Sequence, residues 1–93
     1  MQVKNLCVIG SGTMGNGIAQ VGAQAKLSVS LVDISESMLD KAIKSIRSSV
    51  SKFVEKGTIK ESVETIVGRI RASADFGDVE KADIIIEAVF EKI

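Results

Sequence analysis

Three glycines, Gly10, Gly12 and Gly15, stand between a short apolar run and a long stretch of helical periodicity, spaced as G-x-G-x-x-G. The run before them, Leu6-Cys7-Val8-Ile9, is apolar without alternation, the pattern of a strand buried on both faces. After them, Met14, Ile18, Ala19, Val21, Gly22 and Ala25 recur at helical steps, which predicts a helix over 13–25 with small residues where a backbone can approach closely. Val29, Leu31 and Val32 then form a second branched run, ending at Asp33. Strand, helix and strand fit within the ~30 residues that a βαβ unit needs.

Each residue of the glycine segment has a physical task in that setting. Gly10 permits a tight turn, Gly12 lets the backbone approach a ligand's pyrophosphate, and Gly15 lets helix and strand pack closely. The free N–H groups that open the helix are donors for phosphate oxygens. An acid, Asp33, closes the second strand 18 residues after Gly15. Together these make the dinucleotide-binding fingerprint. A kinase-type glycine loop would join two antiparallel strands and be followed by a strand lysine, and a Walker loop would carry Gly-Lys-Ser/Thr; neither pattern is present. A carboxylate at Asp33 accepts hydrogen bonds from ribose hydroxyls and repels a 2′-phosphate, so NAD is favoured over NADP. The following Ile34 and Ser35 offer no arginine for such a phosphate.

Further along, Ser35 is placed to cap a helix with Glu36 in its first turn. Leu39, Ala42/Ile43, Ile46, Val50 and Phe53/Val54 make one apolar stripe, closed by Glu55-Lys56-Gly57. Thr58-Ile59-Lys60-Glu61 has the form of a capping box and predicts a helix starting there, packing Val63, Ile66 and Val67 and stopping at Gly68. Arg69 to Ser73 reads as a short edge strand, Asp75 to Ala82 as a loop with one helical turn, and Asp83 to Val89 as a last, fully buried strand. The expected fold is α/β, a partial Rossmann-type parallel sheet forming the first mononucleotide-binding half, with strand order 3-2-1-4.

Composition narrows the function. The 93 residues carry 12 Lys+Arg against 12 Asp+Glu and are 45% apolar, as in one small globular domain without a nucleic-acid surface. There is no histidine, which removes the commonest general base and metal ligand, so neither catalytic nor metal-binding residues are expected in this stretch. The lone Cys7 forms no internal disulfide and reads as a small buried hydrophobe in a reducing, cytoplasmic setting. No segment approaches the ~18 apolar residues of a membrane span, and the glycines arrive too early for a secretory leader. Ile93 follows closely on a buried strand with no helix to cover it, so residues 1–93 are expected to be the N-terminal part of a dinucleotide-binding domain, without its C-terminal remainder.

From Val8 to Ile93 the chain resembles the N-terminal NAD-binding domain of the 3-hydroxyacyl-CoA dehydrogenase family, which includes the 3-hydroxybutyryl-CoA dehydrogenases. The likeness rests on the segment Val8 through Gln20, on Leu31-Val32-Asp33-Ile34, on Val54-Glu55-Lys56-Gly57, and on Ala82-Asp83 through Glu87-Ala88-Val89-Phe90-Glu91. It implies that Gly10, Ser11, Gly12, Thr13, Met14 and Gly15 hold the NAD pyrophosphate, that Asp33 binds the adenosine ribose, and that Glu91 lies near the nicotinamide-side ribose. It further implies that Ser49 and Lys56 contact the coenzyme A part of an acyl-CoA substrate. Residues 36–56 carry a net +2, which suits the CoA phosphates, although a solvated helix face explains such charges equally. The intact protein is then expected to interconvert L-3-hydroxyacyl-CoA and 3-ketoacyl-CoA, with its catalytic residues downstream and a homodimer made through a helical C-terminal domain.

The chain departs from the family pattern at two points. Lys26 stands where a glycine usually follows the first helix, at a modest cost for left-handed geometry. Ser11 replaces an alanine or glycine, and its hydroxyl either adds a contact or faces solvent. Gly22, inside the helix, is expected to cost up to ~1 kcal/mol relative to alanine. Two other functions fit the glycine fingerprint: a non-catalytic NAD(H)-binding module, and the NAD domain of another hydroxy-acid or UDP-sugar dehydrogenase.

Overall fold

The computed structural model describes residues 2–88, which follow the order β1 (Asn5–Ile9), α1 (Thr13–Gln24), β2 (Ser28–Val32), α2 (Glu36–Glu55), α3 (Val63–Val67), β3 (Ile70–Ser73), a 3-10 helix (Phe76–Lys81) and β4 (Ile84–Glu87). The four strands form one parallel sheet in the order β3-β2-β1-β4. That is the expected strand order. Alternate residues of β1 and β2, Leu6, Val8, Val29 and Leu31, join Ala19 and Ala23 of α1, Leu39, Ala42, Ile46 and Val50 of α2 and Ile66 of α3 in a single core. Both long helices therefore cover one face of the sheet. Each fully buried Leu, Ile or Val there contributes about 1.5–3 kcal/mol of transfer free energy.

The two long helices end alike. Leu27 N–H bonds to Gly22 C=O and Lys26 N–H to Ala23 C=O, while Thr58 N–H bonds to Phe53 C=O and Gly57 N–H to Val54 C=O, the paired closure of a Schellman turn. Each turn needs a left-handed residue, Gly57 at φ 75° and Lys26 at φ 69°. The lysine thus takes the strained conformation expected of it. At the start of α2, Ser35 Oγ accepts from Met38 N–H, as predicted.

Two expectations need correction. The helix after α2 begins at Val63, capped by Ser62, whose hydroxyl accepts from Thr65 N–H at 3.1 Å, and does not begin at Thr58. The amides of Thr58 and Ile59 are already spent on Phe53 C=O, closing α2, and Glu61 reaches away to form paired hydrogen bonds with Arg69. The segment that resembles a capping box is therefore committed elsewhere. Likewise β4 is not fully buried: Ile84 and Ile85 are 42% and 48% exposed, because β4 is an edge strand paired only with β1 among the described residues. At Gly22, a Cβ would lie 2.7 Å from Leu6 Cδ2 and 3.1 Å from Val29 Cγ2, so α1 lies close on β1 and β2 there and both side chains would have to give way to a larger residue.

Candidate dinucleotide site

The carboxyl ends of β1, β2 and β4 meet at one edge of the sheet. Gly10 N–H donates to Val32 C=O and Ala88 N–H to Ile9 C=O, both at 2.7 Å, so the loops leaving these strands are held side by side. Between them opens a cleft of about 900 Å³, lined by Ile9 to Met14, Val32 to Ile34, Met38, Phe76 and Ala88. Order 3-2-1-4 places this cleft beside β1, where the sheet's connections reverse direction, the position at which open α/β sheets bind ligands.

The glycines build its floor in different ways. Gly10 has φ 101°, which an L side chain rarely adopts. A Cβ on Gly15 would stand 1.7 Å from Gly10 C=O, so the start of α1 touches the turn directly and only glycine fits. Gly12 differs from both: its backbone is ordinary, at φ −68° and ψ −167°, and a Cβ there would meet nothing within 4 Å. Space is left in front of it. Gly12 is also the N-cap of α1, with no side-chain cap and no acid in the first turn. The first bond in the helix is Asn16 N–H to Gly12 C=O, so the amides ahead of Asn16 have no partner within the helix. Their donors and the positive end of the helix dipole suit a phosphate.

Asp33 bounds the other side of the cleft. Its Oδ2 accepts from both the N–H and the hydroxyl of Ser11, at 2.9 and 2.8 Å, and its Oδ1 accepts from Ser35 N–H at 2.9 Å. Burial pushes this carboxyl's pKa up, but the donations from Ser35, Ser11 and Ile34 outweigh it and hold the group below the usual aspartate range. It is therefore an anion at neutral pH, facing the same cleft as the uncapped helix.

The structure brings Gly10, Ser11, Gly12, Thr13, Met14, Gly15 and Asp33 together. It does not bring Ser49 and Lys56 into this cleft. Ser49 is half-buried between the long helices, where its Oγ accepts from Gln20 Nε2 at 2.9 Å, and Lys56 is the exposed C-cap of α2. Seven residues apart, they lie on one side of α2, roughly 10 Å from each other along its axis. Glu91 lies outside the described residues. Sequence reasoning missed the apolar wall: Ile34, which is 83% exposed, with Met38, Phe76 and Ala88. The available signal was an isoleucine placed in a loop immediately after Asp33.

Cys7, inside β1, is fully buried, and burial followed by the nearby Asp78 carboxylate pushes its thiol pKa up. It is packing, as its sequence context suggests. Among the described residues no group of acids and cysteine could hold a metal ion, and no helix is long and apolar enough to cross a membrane.

A four-stranded parallel sheet, a glycine turn fused to an uncapped helix and a carboxylate across the cleft define a Rossmann-type dinucleotide-binding domain. Residues 5–93 match the family model described as "3-hydroxyacyl-CoA dehydrogenase, NAD binding domain", and the chain belongs to that family. It is 40% identical over 84 residues to a probable 3-hydroxybutyryl-CoA dehydrogenase of Deinococcus radiodurans, covering 90% of this chain and 30% of that protein. It is 38% identical over 99 residues to a probable 3-hydroxyacyl-CoA dehydrogenase of Caenorhabditis elegans, covering 99% of this chain and 32% of the relative. The crystal structure of 3-hydroxybutyryl-CoA dehydrogenase from Escherichia coli superposes with a TM-score of 0.91 at 36% identity, over 99% of this chain and 20% of that one. The 93 residues thus span about a third or less of the relatives they match.

Proposed function

We propose that these residues are the N-terminal, NAD-holding part of an enzyme that interconverts L-3-hydroxyacyl-CoA and 3-ketoacyl-CoA. The observation that carries the cofactor reading is Gly12, an unstrained glycine with open space in front of it at the uncapped start of α1. Its lack of a side chain has no explanation within the fold. A pyrophosphate in that space accounts for it, held by the N–H groups from Gly12 to Gly15, those of Gly10 and Ser11 being bonded to Val32 C=O and Asp33 Oδ2. Asp33 then accepts hydrogen bonds from the adenosine ribose, and Glu91 serves the second ribose. NAD supplies the hydride acceptor when bound.

Ser49 and Lys56 lie away from the strand ends, which suits a role toward the CoA moiety and not toward the dinucleotide. Lys56, exposed at the end of a helix with an excess of bases, is the group suited to a CoA phosphate. Ser49 accepts from Gln20 Nε2, which leaves its own O–H to donate to such a ligand. The residues that take the substrate's hydroxyl proton belong to the part of the intact protein beyond residue 93, as does the helical domain through which it forms a homodimer. We place the enzyme in the cytoplasm, on the basis of its free, reduced Cys7.

The test uses the intact protein. NADH is titrated and its fluorescence followed, NADPH serves as the comparison, and oxidation of NADH is then measured on addition of acetoacetyl-CoA. Selective NADH binding with turnover of the thioester is the expected result. NADH binding without turnover of any 3-ketoacyl-CoA would make the protein a nucleotide-binding module, and absence of NADH binding would overturn the site itself.

A further inference from the structure

Ser11 is the one buried polar residue among the described residues, 3% exposed beside the cleft, and both of its donors end on one oxygen of Asp33. A carboxylate oxygen offers two lone-pair sites. Oδ2 is therefore saturated by the Ser11 amide and hydroxyl, while Oδ1 spends one site on Ser35 N–H. Ile34 N–H adds the smallest of these donations, and what acceptor capacity remains for a ligand is on Oδ1.

We propose that Ser11 is a positioning residue for nucleotide specificity: it clamps Asp33 so that Oδ1 alone faces the ribose, and the carboxylate cannot turn away from a 2′-phosphate. This rests on the reading of the cleft as a dinucleotide site. A free aspartate relieves repulsion by rotating its side chain toward solvent. Here rotation breaks two hydrogen bonds to a charged acceptor and leaves a buried hydroxyl without its partner. The clamp also ties the two halves of the site, because Ser11 sits between Gly10 and Gly12 in the phosphate-facing turn. Moving the ribose reader moves the phosphate loop.

The same bonds favour the ionised carboxylate, in keeping with the lowered pKa of Asp33. Removing the hydroxyl takes away one stabilising donor, so Asp33 takes up its proton at a higher pH. Alanine removes only the hydroxyl, and the amide bond to Oδ2 stays.

The experiment compares the intact wild-type protein with Ser11→Ala and Ser11→Thr. NADH and NADPH affinities are measured, the NADH titration is repeated down a pH series, and the Asp33 carboxyl is followed by carbon NMR without cofactor. Ser11→Ala is expected to cut the NADH-over-NADPH preference about tenfold. It should also move the acid limb of NADH binding, and the Asp33 titration itself, to higher pH. Ser11→Thr, which keeps the hydroxyl, should restore both. Wild-type preference and wild-type acid limb in Ser11→Ala would overturn the role of Ser11 and leave the cofactor site standing. Failure of the wild-type protein to bind NADH would overturn both.

Discussion

The two long helices of this domain begin in opposite ways. α2 is stabilised at its N-terminus by Ser35, whose hydroxyl accepts from Met38 N–H, and by Glu36 against the helix dipole. α1 begins at a glycine, with neither cap nor acid, although it is packed on the same face of the same sheet. A helix whose only task is to cover a sheet gains from a cap. Leaving α1 without one keeps its amides and its positive end available, and the compensation must come from outside the chain. α2 is built for stability and α1 for a ligand.

Capping α1 breaks that contrast most severely. Gly12→Asp places a carboxylate in the open space before α1, and the backbone there already suits an L-residue. The side chain satisfies the free amides and occupies the position of the phosphates with like charge. NADH affinity of the intact protein should fall at least about a hundredfold, since like charges brought together cost several kcal/mol. Stability should change by no more than about 0.5 kcal/mol, the gain from the cap being offset by repulsion from Asp33. NADH titration with a denaturant melt checks both, and retained affinity would show that the start of α1 is not the phosphate site.

The converse change belongs to α2. Ser35→Ala removes the cap but keeps the backbone N–H that holds Asp33 Oδ1. The hydrogen bond to Met38 is long, at 3.3 Å, so the expected loss is at the lower end of the usual cost of a lost cap, about 0.5 to 1 kcal/mol, with NADH affinity unchanged. A loss of affinity with little loss of stability would mean that the two helix starts are not separate in function. Urea denaturation and NADH titration of the same variant decide it.

Most of this contrast is legible in the sequence because its signals are local. The G-x-G-x-x-G spacing, Ser35, Gly57 and the stripe from Leu39 to Val54 act within a few residues, and the sheet order follows from the βαβ units they set up. What is not legible depends on partners distant in the chain. Thr58 to Glu61 has a capping pattern, yet the Thr58 amide is taken by Phe53 and the Glu61 carboxylate by Arg69, which also donates to Ala23 C=O. Gly22 looks like a weakness in α1 until Leu6 and Val29 are found against it. The hydroxyl of Ser11 has no assignable partner until β2 brings Asp33 beside it, 22 residues along. Ile34 and Phe76 become one wall only when the strand ends are assembled.

The C-terminal ends of the helices give the smallest and sharpest test. Both close through the same paired bonds, but α2 places Gly57 at the left-handed position and α1 places Lys26 there. Left-handed geometry costs a residue with a Cβ about 1 kcal/mol. Lys26→Gly removes that strain. It also removes a positive charge that adds a little to the hydrogen bond from Arg69 in holding the Glu61 carboxyl below its usual range, and it loosens the unfolded chain, as any added glycine does. The strain is the largest of these opposing effects, so the denaturation midpoint should rise by the equivalent of about 0.5 kcal/mol. NADH affinity should not change, because Lys26 is at the far end of α1 from the cleft. A fall in stability would mean that the loosened unfolded chain and the lost charge together outweigh the backbone strain, and that α1 gives up helix stability at its ligand end alone.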